Sequence, residues 1–380
     1  MMLPFFAPDV FDDEREVLLG VLRGVGTAPA QRFILGEHTA RLERLLRDSM
    51  GAADVVACGS GTSALGMVLH AMGVGPMEIG RGAEVIVPAF GCAPLAAAVV
   101  NLGATPVFAD VDPVTMVIDP ERVEALVTPR TRVLMPAHVF STMADMPRLA
   151  EIAARRGLRL LEDSAVAQGA VLRGRPAGLW GEAGVFSFVQ VKTFGMPGEG
   201  AVVVTRDAEL GAAVRLLRNH GQDGRRRFLH HRIGYNSRFD EVQAAFQVHR
   251  FATLPQRLAR RAAIADYYSR RLGGLRDRGV CAPPAGTDGR SGYVYALQVR
   301  RRAELREHLA GRGIGSHVYY PRTLPGQPAF AAYAPPGRTW PNAELASRRA
   351  LAVPIYPQLT DAQVECIADA VCEFAEAAPA

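Results

Sequence analysis

Short, charge-poor apolar runs alternate with longer amphipathic stretches through the middle of this chain. The runs fall at Asp54–Cys58, Glu84–Val87, Pro106–Ala109, Arg132–Met135, Leu158–Leu161, Gly184–Phe188 and Ala201–Thr205. Each is of strand length and nearly continuous in apolar residues, the pattern of strands buried on both faces rather than on one. Strands of that kind alternating with helices predict an α/β domain with a mainly parallel central sheet covered by helices. Two helices are predicted before it. One runs from Asp12, with a capping-rich start, to Leu22; the other, His38 to Met50, carries Leu42, Leu45 and Leu46 at helical spacing. After Leu254-Pro255 the pattern changes. An arginine-rich helix over Gln256–Leu272 leads into a smaller α+β unit with strands near Tyr293–Val299 and Ser316–Tyr320 and a last helix over Asp361–Ala375. The expected organisation is a helical arm over 1–50, a large α/β domain over 51–255 and a small C-terminal α+β domain over 256–380.

Val85 to Ala109 contains no charged residue and is long enough to suggest a membrane span. Pro88, Gly91, Pro94, Gly103 and Pro106 interrupt it, so a buried strand–helix–strand unit is the better expectation. A hydrophobic content of 49% with 21% charge is that of an ordinary globular chain with ample core. The net charge of +5 is mild, and no basic block is long enough to read as a nucleic-acid arm. The five cysteines, at 58, 92, 281, 366 and 372, lack CxxC spacing and are odd in number. That favours buried thiols in a reducing compartment over a disulfide frame or a metal site. The N-terminal stretch has no basic n-region and turns acidic at Asp12-Asp13-Glu14, so a cytoplasmic protein without membrane partners is expected.

The chemistry centres on Lys192, the only lysine among 380 residues; the other 42 of the 43 basic residues counted as Lys or Arg are arginines. An amine can lose its proton and attack a carbonyl, whereas a guanidinium effectively cannot. A lone lysine between an apolar Val185–Val189 run and a Gly/Pro-rich turn is therefore a candidate Schiff-base former. The bland alternative is a leftover surface lysine. Twenty-nine residues earlier, Leu160-Leu161-Glu162-Asp163-Ser164 puts a carboxylate at the end of a buried strand, where ligands sit in open α/β sheets. Asp163 alone reads equally well as a helix cap. A cofactor that needs a lysine and a carboxylate against its ring nitrogen is pyridoxal 5'-phosphate (PLP). Its phosphate needs a cradle. The turn Cys58-Gly59-Ser60-Gly61-Thr62-Ser63 follows a strand and opens a helix, aiming free amides and the helix dipole at an anion. Ser187 adds a hydroxyl, although a serine satisfied within its strand is the simpler reading of that residue by itself.

Together with Ile34-Leu35-Gly36-Glu37, Gly198-Glu199-Gly200, Arg218-Asn219-His220-Gly221, Gly234-Tyr235-Asn236-Ser237-Arg238, Pro341-Asn342-Ala343-Glu344 and Pro354-Ile355-Tyr356-Pro357, these residues resemble the DegT/DnrJ/EryC1/StrS sugar aminotransferases nearly end to end. The resemblance implies a PLP-dependent transferase of fold type I. It implies that Lys192 holds PLP and shuttles a proton, that Asp163 pairs with the ring nitrogen, and that Gly61, Thr62 and Ser187 bind the phosphate. Asn236 would reach the phosphate of a neighbouring subunit, making the site composite and the homodimer obligatory. The basic loop from Arg225 to Arg232 would then meet a nucleotide diphosphate near the partner's site, or else be a solvated charge run. Tyr319 and Tyr320 stand in the segment that faces the sugar. Four departures are visible. Cys92 replaces the usual ring-stacking aromatic residue, and Val166 replaces a Gln or His. Ser141-Thr142-Met143 replaces Gly-x-Pro, and Tyr319 and Pro325 replace two histidines. The implied reaction moves an amino group from glutamate or glutamine to a nucleotide-linked 3- or 4-keto-6-deoxyhexose. Alternatives are a cyclitol or other non-nucleotide ketone as acceptor, a different PLP reaction, or a catalytically idle binding protein.

Overall fold

The structure is a computed structural model and describes residues 2–7, 11, 14–27, 32–75, 82–226 and 228–377. In chain order its main elements are α1 (Arg15–Thr27), α2 (Glu37–Met50), β1 (Asp54–Cys58), α3 (Gly61–Ala71), β2 (Glu84–Pro88), α4 (Pro94–Val100), β3 (Thr105–Ala109), α5 (Pro120–Glu124), β4 (Thr131–Leu134), α6 (Met146–Arg156), β5 (Arg159–Asp163), the short pair β6 (Val171–Leu172) and β7 (Arg175–Pro176), β8 (Ala183–Ser187), β9 (Ala201–Thr205), α7 (Ala208–Arg218), α8 (Glu241–Phe251), α9 (Leu254–Leu272), β10 (Val280–Cys281), β11 (Tyr295–Val299), α10 (Arg302–Gly311), α11 (Pro341–Arg349), β12 (Ala350–Val353) and α12 (Asp361–Glu376). Asp12 and Asp13, expected to start the first helix, lie outside the described residues; the helix is seen from Arg15.

All seven apolar runs are strands of one sheet, ordered β1-β9-β8-β5-β4-β2-β3. The contacts β8–β5, β5–β4, β4–β2 and β2–β3 are parallel, while β9 runs antiparallel to both β1 and β8. The charge-poor Val85–Ala109 stretch is the unit β2–α4–β3, packed inside the protein. Among the described residues no helix is long and apolar enough to cross a membrane.

A second sheet, β10-β11-β12, is antiparallel and divides two apolar cores. Alternation along its strands makes the division. Ala296, Ala350 and Ala352 face the large core, and Tyr295, Leu297, Val299, Leu351 and Val353 face the small one. A strand's period of two allows such a sheet to serve both sides. Helix α9 also joins the two, with Leu254 in the large core and Ile264, Tyr268 and Leu272 in the small one. The N-terminal residues belong to both as well. Leu42 and Leu46 of α2 pack into the large core, whereas Leu3 packs into the small one.

The strand expected over Ser316–Tyr320 does not form. Only His317 pairs, with Ala352, through two backbone bonds of 3.0 and 2.8 Å. Tyr320 has φ +49° and is followed by Pro321, which has no N–H to continue a ladder, so the chain turns out of the sheet. Helix α2 begins at a glycine cap without a side-chain acceptor. Its orphan amides are taken instead by Glu241, which accepts from Gly36 N at 2.7 Å, His38 N at 2.8 Å and Thr39 N at 2.9 Å.

Candidate active site

Because β9 runs against both neighbours, β1, β8, β5, β4 and β2 all end at the same edge of the sheet. The turn after β1, the connection after β8, Asp163 at the end of β5 and the loop carrying Cys92 after β2 therefore converge, as ligand-binding groups do at the carboxyl ends of parallel strands. Lys192 sits in the connection from β8 back to β9. The connection is pinned at its base by Phe188 N to Gly200 O at 2.8 Å and Met196 N to Phe188 O at 2.9 Å. Its tip is closed by Lys192 N to Val189 O at 2.8 Å and Gly195 N to Lys192 O at 3.0 Å. Phe188 packs edge-on against Phe194 with ring centroids 5.4 Å apart, anchoring the loop to the core.

The Lys192 ammonium lies 4.6 Å from the centre of the Tyr293 ring. Burial pushes its pKa below that of an ordinary lysine, with Cys92, Asp163 and Glu199 acting the other way. Asp163 is 4% exposed. Its Oδ1 accepts from Ala165 N at 3.0 Å, and its Oδ2 faces the Cys92 thiol at 3.9 Å. Burial raises the Asp163 carboxyl above the usual range, opposed by the Ala165 amide, Lys192 and His138. Burial, then the Asp163 charge, pushes the Cys92 thiol up to about 12, so it is a neutral, small group here. The main chain of Asp163 is fixed by Asp163 N to Pro136 O at 2.9 Å and His138 N to Asp163 O at 3.0 Å. Next to it, the fully buried Glu162 accepts from the amides of Gly178, Trp180 and Gly181 and contacts His138 Nε2 at 3.2 Å. The Ala144 amide donates to His138 Nδ1 at 3.2 Å, which leaves the ring proton on Nε2 for Glu162.

The turn after β1 opens α3. Ser60 caps α3 by accepting from Ser63 N, leaving the first amides, Gly61 and Thr62, with no acceptor inside the helix. A methyl at Gly61 would lie 3.7 Å from Ser187 Cβ, so the turn and that hydroxyl are neighbours. The opposite wall is aromatic. Tyr320 stacks on Phe140 at 5.9 Å and 26° and meets Phe90 edge-on at 5.5 Å. Leu324 N bonds Ala89 O at 2.8 Å, tying this segment to the loop that carries Cys92. Tyr319 packs beside His317 at 4.7 Å, and burial raises the pKa of both tyrosines.

Within one chain the structure thus brings together Lys192, Asp163, Gly61, Thr62, Ser187 and Tyr320, with Tyr319 alongside. Arg225 and Asn236 are exposed. Asn236 is held by its neighbours, since Ser237 O and Oγ both accept from Gly59 N at 3.1 Å. Arg227, within the basic loop, lies outside the described residues. Sequence reasoning missed Tyr293 beneath the lysine, Glu162 as anchor of the 178–181 turn, and Arg250, Arg257 and Arg261, which line one cavity together with Lys192 and Tyr293. A motif would have marked Glu162 through its place beside Asp163; the arginines look like any others in an arginine-rich helix.

The model of the DegT/DnrJ/EryC1/StrS aminotransferase family matches residues 23–372. The chain belongs to this family. It is accordingly an aminotransferase. The chain is 38% identical to a protein named pleiotropic regulatory protein from Geobacillus stearothermophilus, over 91% of both chains. It is 39% identical to the dTDP-3-amino-3,4,6-trideoxy-alpha-D-glucose transaminase of Streptomyces venezuelae, over 91% of this chain and 89% of that one. The crystal structure of S. venezuelae DesV in complex with a ketimine intermediate superposes with a TM-score of 0.91 at 36% identity, covering all of both chains.

Proposed function

We propose that this aminotransferase takes an amino group from glutamate or glutamine and delivers it to a nucleotide-linked 3- or 4-keto-6-deoxyhexose, using PLP held by Lys192. One observation carries the reading: a partly buried amine with a depressed pKa shares a sheet edge with a buried carboxylate and an amide-lined cradle. The residues fit PLP. Gly61, Thr62 and Ser187 offer two amides and hydroxyls to a phosphate. Asp163 is a buried carboxylate with one oxygen facing only a weak thiol donor, and a protonated ring nitrogen would satisfy it. PLP, once bound, supplies an electron sink that acidifies the donor's Cα–H.

The chain's own groups do the rest. Burial favours the neutral amine of Lys192, which makes it able to attack a carbonyl and afterwards to take and return a proton. The Asp163 charge is kept in place by the Ala165 amide and by the main-chain bonds to Pro136 and His138. The Tyr320–Phe140–Phe90 wall shields the site from water on the side of the small sheet. The two histidines missing at Tyr319 and Pro325 leave this wall less polar, which favours a deoxygenated sugar face. Relatives that act on 3-amino nucleotide sugars support that acceptor class. The loop at 222–233 exposes Phe228 (74%) and Ile233 (72%) among Arg225, Arg226 and Arg232. Exposed apolar side chains such as Leu229 and Ile233 fit a partner surface, and they support a homodimer in which Asn236 and Arg225 serve the neighbouring site. Cysteines that are all free suit a reducing, cytoplasmic setting.

The test is an absorbance titration of the purified protein with PLP and then glutamate, beside Lys192→Ala. The expected result is a visible cofactor band that disappears with glutamate and does not form normally in the variant. A band indifferent to every amino donor would sink the transaminase reading, and no band at all would leave a binding or regulatory protein.

A further inference from the structure

A cavity opens beside Lys192, between the N-terminal residues Phe5 and Phe6 and the Ile355–Gln358 segment. Four cationic side chains line it, those of Lys192, Arg250, Arg257 and Arg261, and among the described residues no carboxylate does. We propose that Arg257 and Arg261 seat a carboxylate of the amino-acid donor in this cavity. The proposal deepens the transaminase reading and rests on it.

The guanidiniums differ in what they already hold. Arg250 donates to Gly195 O, at the end of the lysine loop, and pairs with Glu14 at 3.3 Å, so it is occupied with structure. Arg257 shares that same Glu14 at 3.1 Å. Among the described residues Arg261 holds only main-chain carbonyls, donating through Nη1 to Ile355 O at 2.9 Å, Tyr293 O at 3.2 Å and Gly292 O at 3.3 Å. Its buried Nε has no partner. Among the described residues one carboxylate thus serves two of the three guanidiniums, and none pairs with Arg261. Burial, reinforced by Arg250 and Arg257, lowers the Arg261 pKa to about 10, which still leaves it charged at neutral pH. Buried cations without counter-ions are costly, and an incoming anion would offset that cost.

Position and size identify the anion. Arg261 holds the carbonyl of Tyr293, the residue whose ring lies under the Lys192 amine. A ligand group here is therefore close to the Lys192 side chain. The space open to the centres of water molecules is about 60 Å³. One water needs ~10–15 Å³ in that measure, so the cavity takes a few waters or a carboxylate. It is far too small for a nucleotide diphosphate. The planar fork of arginine matches a carboxylate by two parallel hydrogen bonds.

The experiment uses the PLP-loaded protein and follows the glutamate half-reaction in single turnovers for wild type, Arg257→Gln, Arg261→Gln and Arg261→Lys. Loss of one charged hydrogen-bond partner predicts a rise of ~10- to 100-fold in the glutamate concentration needed for half-saturation. Arg261→Lys should recover part of it. Arg261 also ties α9 to the segments flanking β11 and β12, so Arg257→Gln, which breaks no bond to them, keeps the test sound if Arg261→Gln folds poorly. L-Alanine as a second donor assigns the carboxylate: a loss with glutamate alone marks the side-chain group, and a loss with both marks the α-carboxylate. Either result supports the proposal. Unchanged glutamate saturation in Arg257→Gln and in every folded Arg261 variant would overturn it. Should the wild type react with no donor, the transaminase reading fails by itself. The cavity is then judged by calorimetric titration with succinate: binding that the glutamine variants lose supports an anion seat, and no binding by wild type refutes it.

Discussion

Gly195→Ala isolates how the lysine loop is held. A Cβ at Gly195 would lie 2.3 Å from Gln190 O, 2.7 Å from Gln190 C and 2.8 Å from Val189 O. Ordinary contact begins at 3.4 Å, so about 1.1 Å (3.4 minus 2.3) must be opened at the closest atom. All three neighbours are backbone, and no side chain can swing aside. Lys192 stands between Gln190 and Gly195 in the chain, and Gly195 is itself fixed by Lys192 O on one side and Arg250 on the other. The displacement is therefore taken up in the segment that carries the amine. Overpacking of this kind costs roughly 1–3 kcal/mol, and a reacting group misplaced by ~1 Å loses about 100-fold in rate. Single-turnover reaction with glutamate and thermal unfolding measure the two effects. Gly66→Ala is the control: Gly66 lies inside α3 with nothing within 4 Å of a built Cβ. It should gain roughly 0.5–1 kcal/mol from lower backbone entropy alone. Wild-type rate together with an unshifted Tm in Gly195→Ala would refute the account of the loop.

Two further outcomes test the charge of the site and its assembly. Burial raises the folded-state pKa of Asp163, so its contribution to stability is full below the unfolded value of ~3.9 and is lost as pH rises through the folded value. Cofactor-free Asp163→Asn should therefore have a higher Tm than wild type at pH 7, with the difference closing towards pH 4, while retaining PLP less well. A lower Tm at pH 7 would contradict the buried-charge argument. If Asn236 serves the neighbouring phosphate, Asn236→Asp and Lys192→Ala should each be inactive, yet subunit exchange between them should restore roughly a quarter of wild-type activity, because half the dimers then hold one intact site. No recovery after verified exchange would mean that each site is built from one chain.

The large sheet was legible because its strands are buried on both faces. Runs such as Ala201–Thr205 carry their assignment in composition alone, and every one of the seven became a strand of the sheet. The small sheet was harder. β12 is four residues, Ala350–Val353, whose alternation between two cores has meaning only once both cores exist. The expected strand at Ser316–Tyr320 failed for the same reason in reverse, since its apolar residues serve an aromatic wall against Phe90 and Phe140 rather than a ladder.

The sequence by itself determined the candidate groups: a solitary lysine in an arginine-writing chain, a carboxylate at a strand end and a glycine-rich strand–helix turn are statements about residue type and local spacing. Local spacing is short-ranged, and it reaches no further than the next turn or strand. Only the tertiary structure decided that Tyr293 lies beneath Lys192 and that Glu241 caps a helix some two hundred residues before it. It also decided that Arg257 and Arg261, ordinary members of an arginine-rich helix, line the cavity beside the amine. Whether a guanidinium is solvated or buried without a counter-ion depends on what the rest of the chain packs against it, and that is a property of the fold rather than of the residue.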